Sequence, residues 1–515
     1  MKRNGKGKDL FGAVFFACLT GWFSSGCASY SVQTKNIRRN WHSGNFQSVA
    51  KEISAEAEKR KNTKDAVIWR LEQGAVLRAA GQLEESNQAF DMAEVLINDF
   101  EQKAKIKIGQ EMLASVTNLA ALPYEGFAYD KIMMNTYKAL NYLKLEDYET
   151  ARVELNRAYE RQKDAVYINR ARIERAMEEG KKQNLSIDLQ RVSNDPRFKN
   201  QLESNYADLK EFKAYADYVN PLTVYLDALF FMAQATGSSD LERARKSFER
   251  VLGMTGNNTY IQQDLEILQE VISGQRIPPA TYVIFETGLA PGREQIRIDL
   301  PLFFITPGLP YAGAAFPKLK YQSNYLSGLT VSYKGTNEST VLLSSMDAVV
   351  AREFDNTLPL VITKTLIASA IKAGTTYGAS KGITRGTDNN VAGLAAFVAG
   401  TMYQVVMNQA DMRTWTTLPK EFQFCRFLTP PERKIELTTP DSGQGMQLTL
   451  QKGIVNVVWV KSVSRSSPFV VQQFVLLKDN TKDVVPPEVS MPATASYSGH
   501  SGNKQQIQKS GELLP

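Results

Sequence analysis

Leu145-Glu146-Asp147-Tyr148-Glu149-Thr150-Ala151 reads as a turn between two helices. Small and apolar residues recur at helical spacing on both sides of it: Ala139 and Tyr142 before, Leu155 and Ala158 after. The same arrangement stands 65 residues upstream as Gly74, Leu77, Gly81, Leu83, Ser86, Phe90 and Ala93. A further copy, with Ser238-Ser239 added to its turn, runs through Ala228, Gly237, Ala244, Phe248 and Val251, and a fainter one begins at Gly44-Asn45-Phe46 and Val49-Ala50. The chain from about Ser31 to Gln275 is therefore expected to be helical, its helices paired where Gly and Ala permit close approach.

These spacings resemble the tetratricopeptide repeat, whose unit is about 34 residues, with a glycine at its turn and an aromatic residue further along the second helix. The resemblance assigns packing roles to Gly74, Gly81, Phe90, Ala93, Tyr148, Ala151, Ala158, Ala244 and Phe248. It implies an α-solenoid over residues 41–276 with a concave surface open to a partner. Generic amphipathic helix pairs are the alternative, and they too give an all-helical region. The stretch Asp147 to Lys182 interleaves acids and bases, as a solvated helix face does.

At Ile277-Pro278-Pro279 the pattern changes to short runs that alternate or are wholly apolar, from Thr281-Tyr282-Val283-Ile284-Phe285 to Phe469–Val475, separated by Pro, Gly and Ser. The expectation is an antiparallel, sandwich-like β-rich domain over 277–483, giving an α+β multidomain protein. A helical hairpin is expected within it at about 348–412. Its second arm, Val391 to Met412, is almost entirely apolar as far as Met407 and is suited to burial or to lipid. Residues 484–515 lack the apolar density to pack and are expected to be disordered.

The first 29 residues carry the clearest address. A basic start (Lys2, Arg3, Lys6, Lys8) leads into the apolar run Leu10 to Phe23 and then Ser24-Ser25-Gly26-Cys27-Ala28-Ser29. The run is shorter than the roughly 20 residues a spanning helix needs, and its flanks are those of a cleavable signal over 1–26. The end of the run resembles the lipobox of bacterial lipoproteins. That resemblance implies diacylglyceryl and acyl chains on Cys27, a tether over 27–40, and, since Ala28-Ser29 lacks an aspartate, the outer membrane facing the periplasm.

Composition removes several kinds of chemistry. With two histidines in 515 residues, His42 and His500, a His-dependent nucleophile or a common zinc site has no home. Cys425 is the cysteine left once Cys18 is cleaved off and Cys27 acylated, so no disulfide is expected. The net charge of +7 becomes +4 when the signal removes four of the 61 basic residues and one of the 54 acidic ones, too little to suggest nucleic acid. No cofactor or metal is called for.

The Asn220-Pro221-Leu222 phrase, the Glu286-Thr287-Gly288-Leu289-Ala290-Pro291 turn and Asp411-Met412-Arg413-Thr414-Trp415-Thr416-Thr417-Leu418-Pro419 resemble a family of uncharacterised bacterial lipoproteins with tetratricopeptide-like helices before a β-rich end. The resemblance implies an envelope role and supplies no catalytic residue. As candidate binding groups the sequence offers Glu286 with Arg293 and Arg297, and a ledge formed by Arg413 and Trp415. Two functions follow: a lipid-anchored scaffold binding an envelope protein through its helices, or a cell-wall glycan hydrolase using carboxylates alone, with Glu286 first. Homo-oligomerisation through the Ala/Gly-rich hairpin is compatible with the scaffold.

Overall fold

Helices occupy the chain from Tyr30 to Ile272 and strands dominate from Ala280 onward, making the protein mixed α+β. The computed structural model describes residues 30–106, 120, 122–182, 189–212, 215–304, 311–386 and 409–479. The signal segment, Cys27, the apolar hairpin arm at 391–407 and the tail at 484–515 lie outside the described residues. The helices are α1 (Tyr30–Gln33), α2 (Lys35–His42), α3 (Phe46–Lys59), α4 (Ala66–Ala79), α5 (Leu83–Ile106), α6 (Ala128–Lys144), α7 (Tyr148–Lys182), α8 (Leu189–Ser193), α9 (Pro196–Asn205), α10 (Pro221–Ala233), α11 (Ser238–Thr255) and α12 (Thr259–Ile272).

Close packing of the helix pairs follows from the small residues. A Cβ on Gly74 in α4 would lie 2.4 Å from Phe90 Cε1 in α5, so the ring occupies the place of the missing side chain. Ala93, Ala151, Ala158, Ala244 and Phe248 are all fully buried. The α4–α5 turn closes through Gly81 at φ +79, and Glu146 takes the same left-handed conformation, φ 63, in the α6–α7 turn. Asn220 caps α10 by accepting the Leu222 N–H at 3.0 Å, with Pro221 at the first helical position where no N–H is required.

The strands are β1 (Ala280–Thr287), β2 (Gly292–Pro301), β3 (Tyr311–Lys320), β4 (Thr330–Tyr333), β5 (Thr336–Ser339), β6 (Val341–Ser345), β7 (Glu421–Leu428), β8 (Lys434–Thr438), β9 (Gly445–Thr449), β10 (Val455–Ser462) and β11 (Val470–Leu477), with the helix α13 (Met346–Gly386) between β6 and β7. They form sheets ordered β11-β10-β1-β7-β6 and β5-β4-β8-β9, plus the β2–β3 hairpin. The expected antiparallel sheet is corrected at its centre: β1 and β10 run parallel, Ala280 opposite Val455. β3, with three alanines, Gly313 and Pro317, and the polar β5 carry little apolar alternation and give no strand signal in the sequence.

Alternation along β1 divides the core. Tyr282 and Ile284 join the helices, while Val283 and Phe285 face a second cluster with Val331, Cys425, Ile435 and Leu437. The central sheet thus lies between the helices and the four-stranded sheet. Every residue of α10 and all but Gln73 of α4 are buried, because the sheet covers the side of these helices that the α5 and α11 partners leave open. Two expectations fail here. The helical and β-rich regions are not separate bodies, since the described residues up to Lys478 form one compact unit. The tether is packed from the third residue after Cys27, with Tyr30 and Ile37 buried. The hairpin's first arm is helical as expected, but residues 409–412 at the end of its second arm are non-helical.

Gly74→Ala should lower stability by about 1–3 kcal/mol through overpacking against Phe90, read as a reduced urea midpoint with an unchanged slope.

Candidate functional site

Glu286 sits near the end of β1 on the face that meets the helices, opposite Lys461 on β10 in the parallel ladder. Its carboxylate accepts hydrogen bonds from Tyr137 Oη of α6 at 2.8 Å, from Trp459 Nε1 at 2.8 Å and from Lys461 Nζ, with which it forms an ion pair. The Arg78 guanidinium of α4 lies 5.5 Å from the centroids of both the Tyr137 and Trp459 rings, and Lys461 Nζ is 5.2 Å from the Trp41 ring. These groups line a cavity of about 10 Å³, room for no more than a single water.

Burial pushes the Glu286 carboxyl upward, but Lys461, Arg78 and the Trp459 indole more than offset it and hold it below the usual carboxylate range. Burial lowers Lys461, and Glu286 partly restores it. A glycosidase general acid needs the opposite shift. Among the described residues lining this cavity Glu286 is the sole carboxylate. The arrangement can fix a joint between helices and sheet; it has neither space nor protonation state for acid catalysis.

The other candidates are apart from it. Arg297 is exposed on β2, its guanidinium lying over Gly313 of β3. Arg293 is stacked on Phe127 at 4.1 Å. Arg413 is buried, bonding Asp65 at 2.8 Å, the Leu122 carbonyl at 2.9 Å and Asp411 at 2.7 Å. Trp415 is edge-on to Phe90 and Tyr137 at 5.9 and 6.0 Å, and its Nε1 donates to Thr417 at 2.9 Å. The expected ledge is therefore an internal strap. Glu72 of α4 holds it, accepting the Thr416 and Thr417 N–H groups at 2.6 and 3.2 Å and the Tyr30 hydroxyl at 2.9 Å.

Glu72, Arg78, Tyr137 and Lys461 were not singled out from the sequence. For Glu72 the signal was a charged residue within a mostly apolar run, Ala66-Val67-Ile68-Trp69-Arg70-Leu71-Glu72. A roomier cavity of about 100 Å³ adjoins the start of α6, lined by Lys131, Arg161, Arg172, Tyr218 and Glu353 among others. Its cations are matched: Lys131 with Glu101, Arg161 with Glu94, Arg172 with Glu125. Glu353 of α13 caps α6, accepting N–H groups of Ala128 and Tyr129 at 2.6 and 2.8 Å. Among the described residues no group of His, Cys, Asp and Glu could hold a metal ion. The chain matches no protein-family model, no curated protein and no solved structure.

Glu286→Gln should cost about 3–5 kcal/mol by leaving Lys461 buried and unpaired, and Glu286→Gln with Lys461→Met should recover most of it, measured by denaturant unfolding. Asp130, fully buried on α6, provides a pH test. Burial raises its carboxyl to about 7, against hydrogen bonds from Tyr124 and the Phe127 N–H. The folded state then binds the proton more tightly than the unfolded chain. Its contribution is complete below the unfolded value and is lost as pH rises toward about 7. Asp130→Asn should flatten the fall in Tm across that range, leaving the part due to Asp264 and Asp347, which burial raises to about 6.

Proposed function

We propose that the protein is a lipid-anchored, non-catalytic scaffold of the bacterial envelope, built from tetratricopeptide-type helix pairs, which meets a partner protein on its outer helices. The observation that carries this reading is the division between inner and outer helices. α4, α6 and α10 are buried within the chain's own core, which leaves the outer helices as the surface for a partner. The outer helices α5 and α7 instead present large apolar side chains to solvent: Val95 is 67% exposed, Tyr167 75%, and Met92 and Val166 nearly half. Among the described residues, Glu286 is ion-paired with Lys461, and Lys138 with Asp91, Glu94 and Glu154.

The basic, apolar and small-residue sequence before Cys27 supports the anchor and, with Ala28-Ser29, the outer membrane facing the periplasm. Among the described residues no helix is long and apolar enough to cross a membrane. The glycan-hydrolase reading loses its first residue to the Lys461 ion pair.

A photo-crosslinking residue at position 95 or 167 in living cells should give one discrete envelope adduct, absent when Cys27→Ala mislocalises the protein and reduced by Tyr167→Ala, which should leave the unfolding free energy within about 0.5 kcal/mol of the parent. Absence of any adduct from both positions would refute the outer-face reading.

A further inference from the structure

The chain between the anchor and the folded body is short. With Cys27 acylated, the reading on which this inference rests, Ala28 and Ser29 alone precede Tyr30. Three Cα steps reach at most ~11 Å. Tyr30 itself is fixed: its ring is buried edge-on against Trp69 at 5.4 Å, and its hydroxyl bonds Glu72. α2 follows at once, holding Ile37 and Trp41 in the core. The acyl chains therefore bring a particular side of the body against the bilayer.

That side is basic. The Arg60 guanidinium lies 5.0 Å from the Trp69 ring that receives Tyr30, which places the α3–α4 turn beside the anchor point. Residues 35–39 and 56–64 together hold seven cations and two carboxylates, Glu56 and Glu58. Lys35, Arg39, Lys59, Lys61 and Lys64 are exposed, Lys59 and Lys61 beside Glu56 and Glu58 and Lys64 donating to the Ala120 carbonyl, so the face keeps a surplus of positive charge. We propose that this face, α2 with the α3–α4 turn, rests on the anionic phospholipid headgroups of the membrane that carries the anchor. Short reach and charge act together, since cations held within a Debye length of an anionic surface feel its potential. A body on a loose tether would sample all orientations.

Cys425 is fully buried, so a single introduced cysteine can be labelled alone in the acylated protein. Lys61→Cys reports the proposed face. Lys246→Cys on α11 reports a distant one, reached from α3 through α4, α6 and α10, about four interaxial spacings of ~9 Å. Both fluorophore-labelled proteins are bound to vesicles of phosphatidylethanolamine and phosphatidylglycerol containing a headgroup-nitroxide quencher.

The expected result is quenching at position 61 at least roughly twofold greater than at 246, weakened several-fold in neutral phosphatidylcholine vesicles and abolished by an about 20-residue Gly/Ser linker placed between Ser29 and Tyr30. Equal quenching at the two positions overturns the proposal while the anchor stands. Persistence of the difference in the linker variant overturns it too. The mass of the N-terminal peptide is read on the same sample; an unacylated peptide rejects the anchor, and the membrane face with it.

Discussion

A carboxylate and an ammonium buried together, Glu286 and Lys461, set the geometry that the rest of the fold obeys. Such a pair contributes little net stability over apolar residues of similar size, but one partner without the other is costly. Its effect is selective. A slip of one residue between β1 and β10 would turn Glu286 or Lys461 toward the second sheet, among Val283, Phe285 and Cys425, with no counter-charge. Tyr137 and Arg78 bring α6 and α4 to the same point, so helix placement and strand register are decided together.

The enclosed helices show the same logic at other positions. Arg78 donates to Asn141 Oδ1 at 2.7 Å, Asn141 to Ser86 at 2.9 Å, and Ser86 to the Gly74 carbonyl at 2.7 Å, a polar path through α4, α5 and α6. Lys138 meets Asp91, Glu94 and Glu154 between 2.7 and 2.9 Å. Glu72 and Glu353 use buried carboxylates to satisfy backbone N–H groups of a loop and of a helix start. Each group satisfies another that would be expensive to bury alone. The region is consequently specified by polar matching as much as by apolar volume.

Much of this fold was legible in the sequence. The runs that became β1, β7 and β10 are mostly apolar, interrupted by groups such as Glu286, Gln423, Arg426 and Lys461, because both of their faces are covered, and the small residues at 74, 93, 151 and 158 marked helix contacts directly. What could not be read was which surfaces meet. Periodicity shows that a helix has an apolar face without naming its cover, so the sheet that fills the inner side of α4, α6 and α10 reads in the sequence as a separate domain. The same limit applies to Glu286 and Trp415: a polar or aromatic residue at a turn looks alike whether it awaits a ligand or, as here, joins two internal elements.

The parallel pairing of β1 with β10 also imposes an order of events. Glu286 and Lys461 are 175 residues apart, and chains emerge from their N-terminus. The inner sides of α4, α6 and α10 therefore spend most of synthesis uncovered, waiting for strands that come last. A loop closure of that length is slow to find. A chaperone holding those helices until β10 and β11 arrive would do for the nascent chain what the central sheet does for the finished protein.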